Sequence, residues 1–143
     1  MDVTKDLNPV ESRYMTGLYR LWESKGRLST GVLASIFSVR PASVVDVLDR
    51  LEEKGLIERP RWGRIAFTRK GLATATKIIH NHRVLELYFR DRLGIPVSEA
   101  CRQAGRIDHL VGDLVVRKMC EKLRYPERCI HGNEVRHTVC RRG

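Results

Sequence analysis

The stretch from Thr68 to Arg92 constrains the fold most, because a single helical pattern runs through all of it. One face of this helix would carry six residues, four of them apolar: Ile78, Ile79, His82, Leu85, Glu86 and Phe89. On that face His82 and Glu86 are four residues apart, which places an imidazole beside a carboxylate. Taken alone, the pair predicts a half-exposed polar contact on the shoulder of a helix. All five histidines and all four cysteines, however, lie at or after His80, so the pair is also a candidate metal site.

Charge and composition narrow the classes of function. The chain has 143 residues, of which 42% are hydrophobic, enough for one medium domain or two small ones. Its net charge of +10 favours a polyanionic partner, most simply nucleic acid. No apolar run approaches about 18 residues and no signal-peptide core is visible, which predicts a cytoplasmic protein without a membrane span. The sequence also has no nucleophile motif, phosphate loop or cofactor fingerprint, so we do not expect an enzyme.

A helix-turn-helix is predicted in the N-terminal half. Asn8 can cap a first helix that begins at Pro9. A short second helix should run from Thr30 to Phe37, and residues 38–40 form a turn before a third helix that begins at Pro41. Two short helices joined by three residues, the second started by proline, have the layout of a helix-turn-helix.

A basic hairpin is predicted next. Two short extended pieces in residues 56–68 flank a tip that contains proline and glycine. Residues 59–70 include five basic side chains and no acidic one. A helix-turn-helix followed by a basic hairpin predicts a winged helix that binds double-stranded DNA through the turn, the third helix and the wing. The candidate DNA-binding residues are Val39, Arg40, Pro41, Ser43, Arg50, Arg59, Arg61 and Arg64.

The second half predicts further helices and a dimer interface. A helix should run from about Val97 to Arg106, and apolar residues then continue at helical spacing to Leu123. A stripe this long, in so small a region, predicts packing against a second copy of the chain. The candidate interface residues are Ile107, Leu110, Val111, Leu114, Val115 and Met119. The predicted fold is mainly α, with a winged helix-turn-helix DNA-binding domain at residues 1–75 and a helical dimerisation and metal-binding domain at residues 76–143.

The order of these parts resembles a known family. A winged helix is followed by His-Arg-x-x-Glu on the long helix, by Asp-His before the apolar stripe, and by Pro-Glu-Arg-Cys-x-His-Gly. This combination is similar to the iron- and manganese-dependent repressors, the diphtheria toxin repressor and manganese transport regulator family, over about residues 9–135. The resemblance implies a homodimeric, metal-responsive repressor that binds operator DNA and controls iron or manganese homeostasis.

The resemblance also implies a set of metal ligands. The family's Glu-His pair corresponds here to Asp-His, and its ligand cysteine matches Cys101 if an insertion of four residues, about one helical turn, is allowed. Without the insertion Gly105 takes that position and supplies no ligand. The implied ligands are His82, Glu86, Cys101, Asp108, His109, Cys129 and His131. Imidazole and carboxylate suit Fe²⁺, Mn²⁺ or Zn²⁺, and a thiolate shifts the preference towards Fe²⁺ or Zn²⁺.

Two alternatives stay open at this point. Arg13 and Thr16 stand where the family's first helix supplies ligands, and a guanidinium cannot ligate a cation. Arg13 would then replace the metal's charge beside Glu86 or Asp108, giving a regulator of the same fold without a metal switch. The second alternative is a cysteine-based sensor, in which a thiol, a zinc ion or an iron–sulfur cluster involves Cys101, Cys120, Cys129 and His131.

Overall fold

A computed structural model of the chain describes residues 3–60, 64–137 and 140. It divides into two compact units, Asp6–Ala75 and Thr76–Gly143, the second of which also includes Asp2–Lys5. The described elements are a 3₁₀ helix Val3–Asp6, α1 Pro9–Glu23, α2 Thr30–Phe37, α3 Pro41–Glu53, β1 Ile57–Glu58, β2 Ala66–Phe67, α4 Arg69–Leu93, α5 Val97–Ile107 and α6 Asp113–Lys122. The mainly α class predicted from the sequence is confirmed.

Helix α1 begins with a complete capping box. The Asn8 side chain accepts a hydrogen bond from the Glu11 backbone N–H at 2.7 Å, and the Glu11 carboxylate accepts one from the Asn8 N–H at 3.0 Å. Pro9 occupies the first helical position, where its missing N–H has no cost. The core of the first unit then forms against Met15 and Leu18, which are fully buried.

Helices α2 and α3 form the predicted helix-turn-helix. They meet at an angle of 115°, within the range of about 90–120° that this motif adopts. Ser38 makes the turn in a left-handed conformation, with φ of 53°. The inner face of α3 is buried in the first unit through Val44, Val47, Leu48 and Leu51. Among the described helices none is individually long and apolar enough to span a membrane, and only the bent α2–α3 pair meets that test, by length and composition.

A short antiparallel hairpin forms the wing. Ile57 lies opposite Phe67, and Glu58 lies opposite Ala66. After the hairpin the chain passes directly over the backbone of Leu56, where a Cβ at Gly71 would lie 1.7 Å from the Leu56 carbonyl oxygen. Only glycine permits this approach, which fixes where α4 leaves the wing.

Local signals mark both ends of α4. Thr68 caps it by accepting a hydrogen bond from the Gly71 N–H at 2.9 Å, and Gly94 follows its last turn with φ of +69°. The expectation of continuous helical spacing to Leu123 is wrong, because α5 ends at Ile107 and α6 begins only after Gly112. Gly112 has extended backbone angles, φ −71° and ψ 150°, and acts as the N-cap of α6.

Candidate metal centre

The His82–Glu86 pair is buried inside the second unit. The two residues are only 5% and 1% exposed, so the expectation of a half-exposed contact on a helix shoulder is wrong. Side chains from α5 and from the turn after α6 lie against this part of α4, and the helical pattern of α4 alone could not predict them. A buried imidazole and a buried carboxylate each need polar partners.

Both nitrogens of His82 have partners. Its Nδ1 lies 3.1 Å from Asp108 Oδ2, and its Nε2 lies 3.3 Å from Glu86 Oε2 and 3.6 Å from Cys101 Sγ. Burial alone would lower the pKa of His82, but the contacts with Asp108, Cys101 and Glu86 outweigh burial and raise that pKa to about 10. Without a metal, a protonated His82 therefore supplies the positive charge that these acidic groups require.

Asp108 orients two imidazoles. Its carboxylate lies 3.1 Å from His82 Nδ1 and 3.2 Å from His109 Nδ1, and all three residues are buried. Burial would raise the pKa of Asp108, but the contacts with His109 and His82 lower it, so the carboxylate is ionised at neutral pH. A carboxylate on the far nitrogen of a ligand histidine fixes the ring and increases its basicity in many metal sites.

A neighbouring group shares Glu86. The turn closed by the Arg128–Glu134 bridge carries Cys129 and His131, whose ligand atoms and a Glu86 oxygen all lie within 4.8 Å of one another. His131 Nδ1 lies 3.7 Å from Glu86 Oε1. Burial would raise the pKa of Glu86, but His82, His131 and Cys129 lower it, so this carboxylate is also ionised at neutral pH.

Cys101 reaches the His82 group from α5. Gly105, one turn later, also faces His82, since a Cβ built on it would lie 3.9 Å from His82 Cε1. The position of Cys101 therefore fits the alignment that allows the inserted helical turn, and both candidate positions face the same imidazole.

The donor set fits a divalent transition metal. His82, Glu86 and Cys101 offer one imidazole nitrogen, one carboxylate oxygen and one thiol sulfur, all within 4.8 Å of one another. Glu86 Oε2 is buried and has no hydrogen-bond partner among the described residues, although it lies at ion-pairing distance from His82. A cation bound there would satisfy this oxygen and replace the proton on His82.

The structure separates the predicted cysteine group. Cys101 lies with His82, Cys129 lies with Glu86 and His131, and Cys120 lies in a third group with His80, His137 and Cys140. A single sensor built from Cys101, Cys120, Cys129 and His131 is therefore wrong. Sequence reasoning missed the third group, whose one local signal is the spacing His137-x-x-Cys140.

The predicted DNA-binding residues lie on the first unit in different environments. Exposed side chains surround the start of α3, namely Val39, Arg40, Pro41 and Ser43. Arg50 donates to Glu11 at 3.1 Å, and Arg59 pairs with Asp49 and Glu52, so neither charge is free of a carboxylate. Arg64 is exposed on the wing, and Arg61 lies outside the described residues. The DNA-binding role of these residues stays a prediction.

The predicted interface residues present an apolar surface on the second unit. The most exposed are Leu114 at 60%, Leu110 at 52% and Val115 at 52%, with Ile107 at 39%. Val111 and Met119 are partly buried against the core cluster of this unit. Apolar side chains exposed this far on consecutive turns are typical of an interface. Their role in pairing stays a prediction.

Fold and site together define a winged-helix protein with a helical metal-binding domain. Residues 68–136 match the family model described as "Iron dependent repressor, metal binding and dimerisation domain", and residues 12–61 match the MarR family model. These matches confirm the resemblance to the iron- and manganese-dependent repressors, most directly over residues 68–136.

Individual relatives agree with this assignment. The chain is 22% identical over 107 residues to the HTH-type transcriptional regulator MJ0568 of Methanocaldococcus jannaschii, covering 74% of this chain and 86% of that protein. It is 25% identical over 130 residues to the iron-dependent repressor IdeR of Mycobacterium leprae, covering 91% of this chain and 56% of that protein. The structure of the manganese regulator SloR superposes with a TM-score of 0.79 at 25% identity, covering 90% of this chain and 60% of SloR. The chain thus spans little more than half of IdeR and SloR.

Proposed function

We propose that the protein is a metal-responsive DNA-binding transcriptional repressor of iron or manganese homeostasis, acting as a homodimer. The observation that carries this proposal is the buried convergence of imidazole, carboxylate and thiol donors around His82. The similar proteins include the iron-dependent repressor IdeR and the manganese regulator SloR. This similarity favours a metal-dependent regulator over a regulator of the same fold with a thiol or iron–sulfur sensor.

The donor chemistry indicates which metal the site would accept. His82 and Glu86 alone would suit Mn²⁺ or Fe²⁺, whereas the Cys101 thiol favours Fe²⁺ or Zn²⁺. The metal would bind His82 Nε2, Glu86 and Cys101, with Asp108 holding the imidazole from its Nδ1 side. Cys129 and His131 would supply a second position beside the shared Glu86. Through His82 and Glu86 on α4, Cys101 on α5, and Cys129 and His131 in the Arg128–Glu134 turn, the divalent positive charge of a bound metal would hold these three elements together.

The first unit would bind DNA. The exposed start of α3 would enter the major groove, and the exposed wing arginine Arg64 would contact phosphates. Two copies paired through α6 would present two such units, as a two-fold related operator requires. Arg13 lies with its guanidinium carbon 5.7 Å from the ring centroid of Phe37, inside the first unit. Replacement of the metal by Arg13 stays a prediction.

The test is DNA affinity with and without metal. Metal-free protein, prepared anaerobically, would be used to select duplexes from a random DNA pool in the presence of Fe²⁺ or Mn²⁺. The affinity for the selected duplex would then be measured with either metal and with chelator, at one fixed salt concentration. We expect at least a tenfold gain in affinity with metal. Equal affinity in all conditions would contradict metal control while leaving DNA binding itself supported.

A further inference from the structure

A second cluster of metal-binding side chains lies in the second unit, separate from the His82 donors. We call it the tail cluster: His80 on α4, Cys120 on α6, and His137 and Cys140 in the C-terminal segment. His80 and His82 are two residues apart, so they point away from each other on α4. The ligand atoms of the four residues lie within 4.8 Å of one another, and His80, Cys120 and Cys140 are buried.

The distances within the tail cluster fit a tetrahedral site. Cys120 Sγ lies 3.5 Å from Cys140 Sγ and 3.5 Å from His137 Nδ1, and His137 Nδ1 lies 3.2 Å from Cys140 Sγ. A tetrahedral zinc ion with its usual bond lengths would separate two sulfurs by about 3.8 Å and a sulfur from a nitrogen by about 3.6 Å. Movements of a few tenths of an ångström would therefore convert the cluster into a complete coordination sphere.

Hydrogen bonds outside the cluster set the protonation of both imidazoles. His137 Nε2 donates to the Pro126 carbonyl oxygen at 2.6 Å, which leaves the lone pair on Nδ1, the atom that faces both thiols. His80 Nδ1 donates to the Asn81 side-chain oxygen at 3.1 Å, which leaves the lone pair of His80 on Nε2. Each ring is thus held by an outer partner in the tautomer that a metal ligand needs.

Hydrogen bonds within the core do not account for the burial of His80 Nε2. It is buried and has no hydrogen-bond partner among the described residues. Leaving such an atom unsatisfied in an apolar interior is unfavourable, and a metal bond would remove that cost. A disulfide is not formed, because the Cys120 and Cys140 sulfurs are 3.5 Å apart and a disulfide needs about 2.05 Å.

We propose that His80, Cys120, His137 and Cys140 bind one structural zinc ion. Binding displaces one proton from each thiol, so two thiolates balance the charge of Zn²⁺ and the buried site is neutral. Four protein ligands leave no open position, as in structural zinc sites. The ion fastens the C-terminal segment to α4 and α6 and holds the helix that carries His82. The sulfur-rich donor set retains Zn²⁺, whereas the His82 site exchanges its metal.

Cobalt substitution tests the coordination directly. The full-length untagged chain would be purified anaerobically, stripped under reducing conditions and titrated with Co²⁺ alone. We expect the chain to bind one equivalent of Co²⁺ with the visible absorption bands of a tetrahedral site and a thiolate-to-cobalt charge-transfer band. One equivalent of Zn²⁺ should displace the Co²⁺ and remove both signals. This spectrum should persist in a His82→Ala/His109→Ala variant, whose proposed regulatory site is disrupted. The result for the zinc site is therefore independent of whether the regulatory site binds metal.

Serine variants locate the sulfur ligands. Cys140→Ser should lose the retained equivalent of zinc and change the charge-transfer band, and Cys101→Ser should keep both. If Cys140→Ser fails to fold, X-ray absorption at the zinc edge of the wild-type chain and of Cys101→Ser still decides, with two sulfur and two nitrogen ligands expected in both. Absence of a retained zinc ion, a spectrum that Cys101→Ser abolishes, or a Cys120–Cys140 disulfide in anaerobically purified protein would overturn the proposal.

Discussion

The two units bury carboxylates in opposite kinds of surroundings. In the first unit Glu11 is 1% exposed, and its oxygens lie 2.7 Å from Lys54 Nζ and 3.1 Å from Arg50 Nε. In the second unit the equally buried Glu86 lies beside three groups that can themselves bind a metal: His82, His131 and Cys129. Fixed cations already neutralise Glu11. The charge around Glu86 is balanced by a proton on His82, which a divalent cation can replace.

This difference separates a structural carboxylate from a ligand. Glu11 also completes the capping box of α1, so its oxygens already accept hydrogen bonds from Asn8, Lys54 and Arg50. Glu86 Oε2 lacks a hydrogen bond among the described residues. Burial alone therefore does not indicate a metal site, and the chemical identity of the neighbours decides.

The largest effect concerns the exposed apolar surface, which also differs between the units. Leu114→Glu in the second unit should place a charge in the dimer interface and weaken dimerisation by about 4 kcal/mol. The matched control is Ile36→Glu in the first unit, since Ile36 is 51% exposed and Leu114 is 60% exposed. Sedimentation equilibrium should give a folded monomer for Leu114→Glu and a dimer for Ile36→Glu. A dimeric, folded Leu114→Glu protein would place the interface elsewhere.

The two carboxylates should respond differently to neutralisation. Glu11→Gln removes charged hydrogen bonds to Lys54 and Arg50 and should destabilise the first unit by about 2 kcal/mol, with or without metal. Both tryptophans, Trp22 and Trp62, belong to the sequence of that unit, so their fluorescence during urea denaturation reports its unfolding.

Glu86→Gln is the counterpart in the second unit. Metal at 100 times its dissociation constant should stabilise the wild-type second unit by about 2.7 kcal/mol, and Glu86→Gln should lose most of this gain. Unfolding of the second unit can be followed by hydrogen exchange of α4 amides. Two results would remove the distinction between the two carboxylates. One is a full metal-induced gain in stability in Glu86→Gln, and the other is a loss of stability in Glu11→Gln whose size depends on metal.

The pH dependence should also differ. The folded-state pKa of His82, about 10, exceeds its ordinary value of 6.5, so its contribution to metal-free stability is complete below pH 6.5 and is lost as pH rises through about 10. Because the metal must displace that proton, and ligation by Cys101 would release a second one, metal affinity should rise by up to about tenfold per pH unit for each proton released between roughly pH 7 and 9. Calorimetric titration in buffers of different ionisation enthalpy would count the released protons.

The contribution of Glu11 to stability changes with pH in the opposite direction. Burial would raise its pKa, but Lys54, Asn8 and Arg50 lower it below the ordinary 4.5. The stabilisation from Glu11 is therefore present above pH 4.5 and is lost as pH falls through the lowered pKa. Tryptophan-detected stability of the first unit should be constant from pH 6.5 to 9. A metal affinity that is independent of pH over this range would contradict a protonated His82.

The smallest effect concerns the wing. Arg64→Ala should lower the slope of log affinity against log salt by about 0.9, the value for one lost phosphate contact. Arg59→Ala should change the slope less, because Asp49 and Glu52 already neutralise Arg59. Fluorescence anisotropy across a salt series measures both slopes. Equal slopes for the two variants would mean that Arg59 leaves its carboxylates when DNA binds.

Sequence alone predicted the features that depend on neighbouring residues. The Asn8 cap of α1 and the proline start of α3 are local signals, and the structure contains both. The helix predicted from about Val97 to Arg106 is α5, but the turn at residues 108–112 was missed because the apolar spacing passes unchanged across it. Helical periodicity does not report a cap that interrupts it.

The candidate sites depended on contacts between distant residues. The resemblance brought His82, Glu86 and Cys101 together, but their depth of burial follows from α5 and the Arg128–Glu134 turn, which no local pattern encodes. The tail cluster joins His80 to Cys140 across most of the second unit. Sequence reasoning assigned Cys120 to other cysteines because proximity along the chain does not reveal which thiols share a core.

One measurement tests the central contrast most directly: binding of Fe²⁺ or Mn²⁺ by anaerobic equilibrium dialysis, with affinity for the selected duplex measured on the same samples. Wild type and Glu11→Gln should bind exchangeable metal with similar affinity and gain DNA affinity with it. His82→Ala/His109→Ala should lose more than about 100-fold in metal affinity, since even outer-shell changes cost 10–100-fold, and should lose the metal-dependent gain in DNA affinity. Unchanged metal binding in the histidine variant, or its loss in Glu11→Gln, would contradict the account.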